Sequence, residues 1–545
     1  MKNNAKLKVL SSALICSLVL TAPLASPALA ESPKQWDQPG PMSPVLHPGS
    51  VKGAGMIQAP LDGFDQAVES ALAAKSMPGA VAFVARNGHI AKHDAYGFAS
   101  LYADGAGTLV DNPVEMKKDT IFDLASISKI FTTTAAMKLY EDGHFQLDDP
   151  VAMHLPQFAE NGKENVTIRQ LMTHTSGFTA WVPLYQQGEN REDRIEYALR
   201  HKLANSPGTK YTYSDLNLIT LGALIEKFSG KRLDEFVKEE ITEPIGMKDT
   251  MYNPPASLQN RIAATEYQPA LGRGMVWGEV HDENAWSLDG VAGHAGVFST
   301  ASDLAKFAHM FLNNGKYGGK RILEAQTVRL LETNQIPEFP GNDHGLGWEL
   351  NQGWYMDALA DSSAFGHTGY TGTSIVINRK NNTIAILLTN RVHPSRTTIS
   401  TNFIRRDFAR AVADAIPAPI SKHTDAWFAG YGDQLNNEMQ IAVPEGASTV
   451  SFDTWHRLEG DSDFGFIETS NDGVNWSQVA EPITGNSEGW ESTELALPAN
   501  TTHLRFRYET DASVNGRGWY VENIQVDGTE AEPQPAGNDW TERSN

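Results

Sequence analysis

The feature that most constrains this chain is a change of periodicity at Pro417-Ala418-Pro419. Upstream, Ala80 to Arg86 predicts a strand, Asn87-Gly88 a tight turn and His89 to Gly97 the return strand. Strand signals then give way to helical patterning from about 125 to 315. They return as Thr373 to Asn378, a turn at Lys380-Asn381-Asn382 and Thr383 to Leu388. Helices are predicted over 61–75, through Leu218, Leu221, Ile225 and Phe228 up to Gly230, from a Ser302 cap to Gly315, and over Phe403 to Ile416. Strands at both ends with helices between predict an α/β (α+β) architecture. The two ends build one antiparallel sheet flanked by helices, with an all-helical lobe inserted. Downstream of Pro419 the period becomes two. Thr449 to Trp455, Phe464 to Glu468 and Leu504 to Tyr508 alternate, with turns such as Asn471-Asp472-Gly473 between them. That pattern predicts an all-β sandwich.

The expected boundaries are a signal peptide over 1–30, an extended lead-in over 31–57 and a first folded unit over 58–416. A linker at 417–424, a sandwich over 425–528 and a disordered tail over 529–545 follow. The change of pattern predicts that a chain ending near Ile416 folds and keeps whatever activity this first unit carries. The signal reading rests on Lys2, Lys6 and Lys8, an apolar run from Val9 to Leu24 and Ala28-Leu29-Ala30. Pro23 and Pro27 interrupt that run, which argues against a membrane anchor, so the protein is expected to be secreted, extracellular or periplasmic. The single cysteine, Cys16, leaves with the signal. Disulfides, thiolate metal sites and a cysteine nucleophile are thereby excluded. The formal charge is −22, and −25 once residues 1–30 with their three Lys are removed. Such a surface repels phosphate backbones and excludes nucleic acid as a partner.

Three segments carry chemistry. Phe122-Asp123-Leu124-Ala125-Ser126-Ile127-Ser128-Lys129 leads into an apolar helix, placing Ser126 at its start and Lys129 one turn on, along the same face. A serine hydroxyl needs a base, and a desolvated lysine can supply one. Tyr213-Ser214-Asp215 opens the next clear helix, and a tyrosine near a lysine can relay a proton. Gly366-His367-Thr368-Gly369-Tyr370 enters a strand. The Tyr370 N–H, with that of Ser126, would make an oxyanion hole.

In this order the three segments resemble the serine β-lactamase and penicillin-binding-protein superfamily, on its class C and D-alanyl-D-alanine carboxypeptidase side. Leu171-Met172-Thr173-His174-Thr175-Ser176-Gly177 and Gly293-His294-Ala295-Gly296-Val297-Phe298-Ser299-Thr300 add to the likeness, which spans roughly 60–416. The resemblance implies an acyl-enzyme mechanism. Ser126 attacks, Lys129 and Tyr213 shuttle the proton, and Asp215, His367, Thr368, Gly369 and Tyr370 bind substrate and the oxyanion. It implies no metal and no cofactor. Two positions depart from the pattern. Asp215 stands where Asn is usual, which should hold Lys129 charged and shift the base role towards Tyr213. His367 stands where Lys is frequent, and is expected to hold a substrate carboxylate best when protonated. The departures favour a carboxypeptidase or esterase acting on a D-amino-acid amide, a peptidoglycan peptide or an ester. A β-lactamase is the enzymatic alternative, and a penicillin-recognising or surface-binding protein with little turnover is the alternative of another class.

His281-Asp282-Glu283-Asn284 and His294 match no helical zinc spacing and read as loop residues near the cleft. After the linker, Trp427 to Gly430, Asp472 to Trp476, Leu504 to Tyr508 and Gly518 to Ile524 resemble the MAM-like jelly-roll module trailing immune-inhibitor-A-type metalloproteases. That likeness implies a surface or glycan ligand. It also implies a place for calcium, with Asp461-Ser462-Asp463 as the candidate.

Overall fold

The computed structural model describes residues 35–419, 425–537 and 539–543. The predicted signal peptide and residues 420–424 of the predicted linker lie outside them. The two ends of the catalytic unit do meet in one sheet. Its order is His47–Pro48, His89–Tyr102, Gly79–Arg86, Thr383–Thr389, Ser374–Asn378, Ala364–Thr368 and Glu349–Leu350, with Leu109–Glu115 paired to His89–Tyr102. All pairings are antiparallel except His47–Pro48, which runs parallel to His89 and Ile90 and makes the sheet mixed.

The central strands are buried on both faces, so they read as apolar runs rather than alternations. Side-chain size does alternate. Ala80, Ala82, Val84, Ala385 and Leu387 turn towards the helices Gln58–Ala73 and Asn402–Asp414. Val81, Phe83, Ile384, Ile386 and Leu388 turn the other way, onto the helical lobe and the helix Ala301–Leu312. Small residues let the two terminal helices lie close to the sheet. Within the lobe the helix Asp215–Ser229 ends at Gly230 in the left-handed region, φ 68°. Thr300, not Ser302, caps Ala301–Leu312, its hydroxyl accepting from the Asp303 N–H at 3.2 Å.

The second unit is two antiparallel sheets around a shared core of Met439, Phe452, Leu504, Phe506 and Trp519, as a sandwich requires. One expectation needs correction. Residues 529–545 are not a disordered tail where they are described. Gln534–Pro535 pairs with Asn436–Ala442, and Thr541–Arg543 with Ala426–Phe428. The cause is Trp540, which is 2% exposed and packs on Trp519. The lead-in is likewise tied down, by the fully buried Trp36, whose N–H donates to the Pro417 carbonyl at 2.8 Å.

The catalytic unit and the sandwich share a polar seam. Arg410 bridges the buried Asp357 (Nη2 at 2.9 Å) and Asp433 (3.0 Å), and the Asn515 N–H reaches Asp357 at 3.3 Å. Arg517, fully buried, donates to the Ile416 carbonyl and to the Tyr431 and Tyr520 hydroxyls.

Candidate active site

Ser126 sits in a single 3-10 turn, Ala125–Ile127, that runs straight into the helix Ser128–Glu141. The shared face brings Lys129 Nζ to 3.0 Å from Ser126 Oγ. The turn is strained, since Ala125 holds φ at 47°. Asp123 pins it, accepting from the Ala125 N–H at 2.8 Å with one oxygen and from the His281 N–H at 2.6 Å with the other.

Lys129 is buried and donates to the His294 carbonyl at 3.2 Å. It pairs with Asp215 Oδ1 at 2.9 Å and stands 4.8 Å from the centre of the Tyr213 ring. Burial works against its charge, but Asp215 and Tyr213 outweigh burial, so its pKa lies above the ordinary lysine value. Burial raises the Tyr213 phenol, and Lys129 opposes that rise.

Tyr213 is held by a residue that the motif reading quoted without giving it a role. His174 accepts from the Ser214 N–H and the Asn217 amide, both at 3.1 Å, and its carbonyl accepts from the Thr212 N–H at 2.9 Å. Its ring lies 4.6 Å from that of Tyr213, and burial holds it neutral. The Leu171–Gly177 segment is therefore a brace for Tyr213.

Gly369 and Tyr370 follow the strand Ala364–Thr368 in a turn bonded to the segment ahead of Ser126. Thr371 Oγ1 donates to the Asp123 carbonyl at 2.7 Å and Thr373 Oγ1 to the Leu124 carbonyl at 3.2 Å. A Cβ on Gly369 would stand 2.3 Å from the Leu124 carbonyl oxygen, so only glycine fits. Thr368, Gly369 and Tyr370 line the cleft with Ser126 and Tyr213.

His367 does not. Its ring is 1% exposed, its Nδ1 bonds to the Thr368 carbonyl at 2.7 Å, and it borders neither cavity at Ser126. Burial, with Lys129 nearby, pushes its pKa down to about 3. A buried imidazole that stands behind the Tyr213 ring, 6.1 Å between centres, and borders neither cavity cannot reach a substrate carboxylate, so that expectation is withdrawn.

Ser126 opens onto two cavities. One, about 430 Å³, has Tyr211, Glu349, Trp354, Arg391 and Arg405 in its wall. The other, about 410 Å³, is walled by Trp181, Tyr185, Asp215, His281, Asp282 and His294. Tyr370 belongs to both, 51% exposed, with its ring between Arg391 and Arg396. Arg396 is neutralised by Glu266 and Glu283. Arg391 has no carboxylate partner among the described residues and donates only to the Arg396 and Thr398 carbonyls. Arg405, in the same wall, also lacks a carboxylate partner, but it is buried and held by the Gly369 and Thr373 carbonyls, so Arg391 is the more exposed of the two, and no spacing rule marks it in the sequence. A larger cavity, about 640 Å³, is lined by Lys238, Met247 and Tyr252 and includes none of these residues.

Asp215, Asp282 and His294 hold ligand atoms within 4.8 Å of one another. The Lys129 ammonium pairs with Asp215, and His294 Nε2 lies 2.8 Å from Asp282 Oδ1.

A helix-borne serine with a lysine, a tyrosine and two flanking cavities defines a serine hydrolase. The Beta-lactamase family profile matches residues 64–410, and the chain belongs to that family. It is 34% identical over 360 residues to the N-acetylmuramyl-L-alanine amidase of Bacillus subtilis, covering 60% of this chain and 80% of that one. It is 32% identical over 382 residues to an Escherichia coli K12 protein named "Putative D-alanyl-D-alanine carboxypeptidase", covering 64% and 86%. Among solved structures, a penicillin-binding-protein homologue from Caulobacter crescentus aligns with TM-score 0.50 at 19% identity, covering 65% of this chain and 97% of its own. The octameric homologue from Pyrococcus abyssi aligns with TM-score 0.50 at 19% identity, covering 85% and 100%. These two likenesses show the fold.

Proposed function

We propose that this serine hydrolase is secreted and acts through an acyl-enzyme on D-amino-acid peptides or amides of the cell wall, with simple esters as accessory substrates. The observation that carries the reading is Ser126 Oγ, 3.0 Å from Lys129 Nζ, in a cleft that Tyr213 also lines and whose more exposed arginine without a carboxylate partner is Arg391. A peptide ending in a free carboxylate would place that group at Arg391 and its scissile carbonyl at Ser126.

In this account Ser126 Oγ attacks the carbonyl carbon while its proton passes through the Tyr213 hydroxyl to the leaving nitrogen. Lys129 stays charged, held by Asp215, and stabilises the negative charge that develops on Oγ and on the phenol oxygen. The N–H groups of Ser126 and Tyr370 receive the oxyanion. Water then attacks the acyl-enzyme by the reverse relay. The amidase and carboxypeptidase names of the relatives support a cell-wall amide as substrate. The leader-like residues 1–30 support export. No helix among the described residues is long and apolar enough to cross a membrane. The test is turnover measured side by side on a D-Ala-D-Ala peptide, a short-chain nitrophenyl ester and a chromogenic cephalosporin. The account expects the peptide to give the highest kcat/KM. A cephalosporin turned over faster than both would overturn it.

A further inference from the structure

Two loops of the sandwich meet where it faces the catalytic unit. One joins Thr449–Arg457 to Phe464–Ser470 and carries Glu459 and Asp463. The other joins His503–Glu509 to Gly518–Val526 and carries Asp511. Carboxylate oxygens of Glu459, Asp463 and Asp511 all lie within 4.8 Å of one another. Three acids at that spacing are costly unless something positive sits among them. The side chains supply nothing positive. Asp463 is fully buried. Its Oδ1 accepts from the Asp511 N–H at 3.2 Å, but its Oδ2 has no hydrogen-bond partner. Glu459 Oε2 is equally buried and equally unpartnered. Two clustered acids that each keep an orphaned, buried oxygen, with the third acid exposed to solvent, match what a hard cation needs: oxygen ligands, and an open side for water.

We propose that Glu459, Asp463 and Asp511 bind a divalent cation of the calcium class, which ties the two loops together at the seam with the catalytic unit. Separations of up to 4.8 Å suit the longer calcium–oxygen bonds better than compact octahedral magnesium. The position gives the cation a consequence. The loop that carries Asp511 runs on to Asn515, whose N–H bonds Asp357 of the catalytic unit. Asp357 immediately follows the helix Gly353–Met356, which carries Trp354 into the wall of the cavity at Ser126. Fixing Asp511 therefore fixes a loop that braces the substrate cleft. Asp461, the more obvious acid in the sequence, is exposed and outside the cluster.

The test uses the full chain stripped with a chelator. Calorimetric titration with Ca²⁺ should show one site with Kd of about 0.1–1 mM, and saturation should raise Tm. Glu459→Gln and Asp511→Asn, each confirmed folded by circular dichroism, should weaken Ca²⁺ binding about tenfold or more and lose the Tm rise. Asp463→Asn should do the same. If its buried position prevents folding, the two other variants decide. Asp461→Asn should bind as the parent does. No heat of binding at 5-fold above the expected Kd, or unchanged binding in Glu459→Gln and Asp511→Asn, would overturn the site.

Discussion

Lys129 Nζ lies 2.9 Å from Asp215 Oδ1, a charged contact in a position where the wider superfamily usually has an amide. Burial lowers the pKa of Lys129, and Asp215 is the largest influence raising it. Asp215→Asn should therefore let the lysine pKa fall. If the charged lysine is the working form, the alkaline limb of kcat/KM should move down by at least about one pH unit, with activity near pH 7 unchanged or lower. A variant that gains activity at neutral pH would show that Lys129 works as a neutral base.

Arg391, not His367, should govern affinity for carboxylate-bearing substrates. Arg391→Ala should raise KM about tenfold or more for a D-Ala-D-Ala peptide and leave a neutral ester within about twofold. With its pKa pushed down to about 3, His367 stays neutral across the working range. KM for charged and neutral substrates should then follow parallel pH profiles between pH 5 and 8. A carboxylate-specific rise in KM near pH 6.5 would return the role to histidine.

The buried histidines predict acid lability. His344 is pushed down to about 4 by burial and His367 to about 3 by burial and Lys129. Their unfolded pKa is about 6.5, so the unfolded chain binds more protons below that value. The stability they contribute is complete above about pH 6.5 and is lost as pH falls towards 4, by up to about 1.4 kcal/mol per pH unit for each ring. Urea unfolding of the parent and of His344→Gln at pH 7 and pH 5 reads this directly. The variant should lose less stability on acidification, and equal losses would contradict the assignment.

The seam leads to a prediction opposite to the sequence-based expectation that a chain ending near Ile416 folds and keeps its activity. Removing the sandwich strips Arg410 of Asp433, Asp357 of the Asn515 N–H and the Ile416 carbonyl of Arg517. It also uncovers apolar surface where Tyr431 packs against the terminal helices. The truncated chain should be poorly soluble or melt well below the full protein. In the full chain, Arg517→Met should cost about 2 kcal/mol or more. A soluble truncation with parental Tm and activity would show that the seam is incidental.

The large features were legible because each leaves a local signal. Strand runs, the turn at Asn87-Gly88, the Gly230 stop and the Ser126–Lys129 spacing are short-range patterns. What stayed hidden depends on long-range packing. His367 reads as a cleft cation from its motif, but its ring is buried beside Tyr213 and borders neither cavity. Arg391 belongs to no motif and acquires meaning only because Tyr370, 21 positions earlier, carries its ring towards it. The tail looked too polar to fold, since one tryptophan, Trp540, outweighs its composition by docking on Trp519. His174 sat in a quoted segment, but its hold on Tyr213 is a contact across 40 positions.

The most direct test of the central claim is the site of acylation. The full chain should be labelled by a fluorescent phosphonate, and peptide mass spectrometry should place the adduct on Ser126. Ser126→Ala, with unchanged Tm, should take up no label and retain less than about one thousandth of parental kcat/KM. Label found on another serine, or hydrolysis that survives Ser126→Ala, would contradict the account.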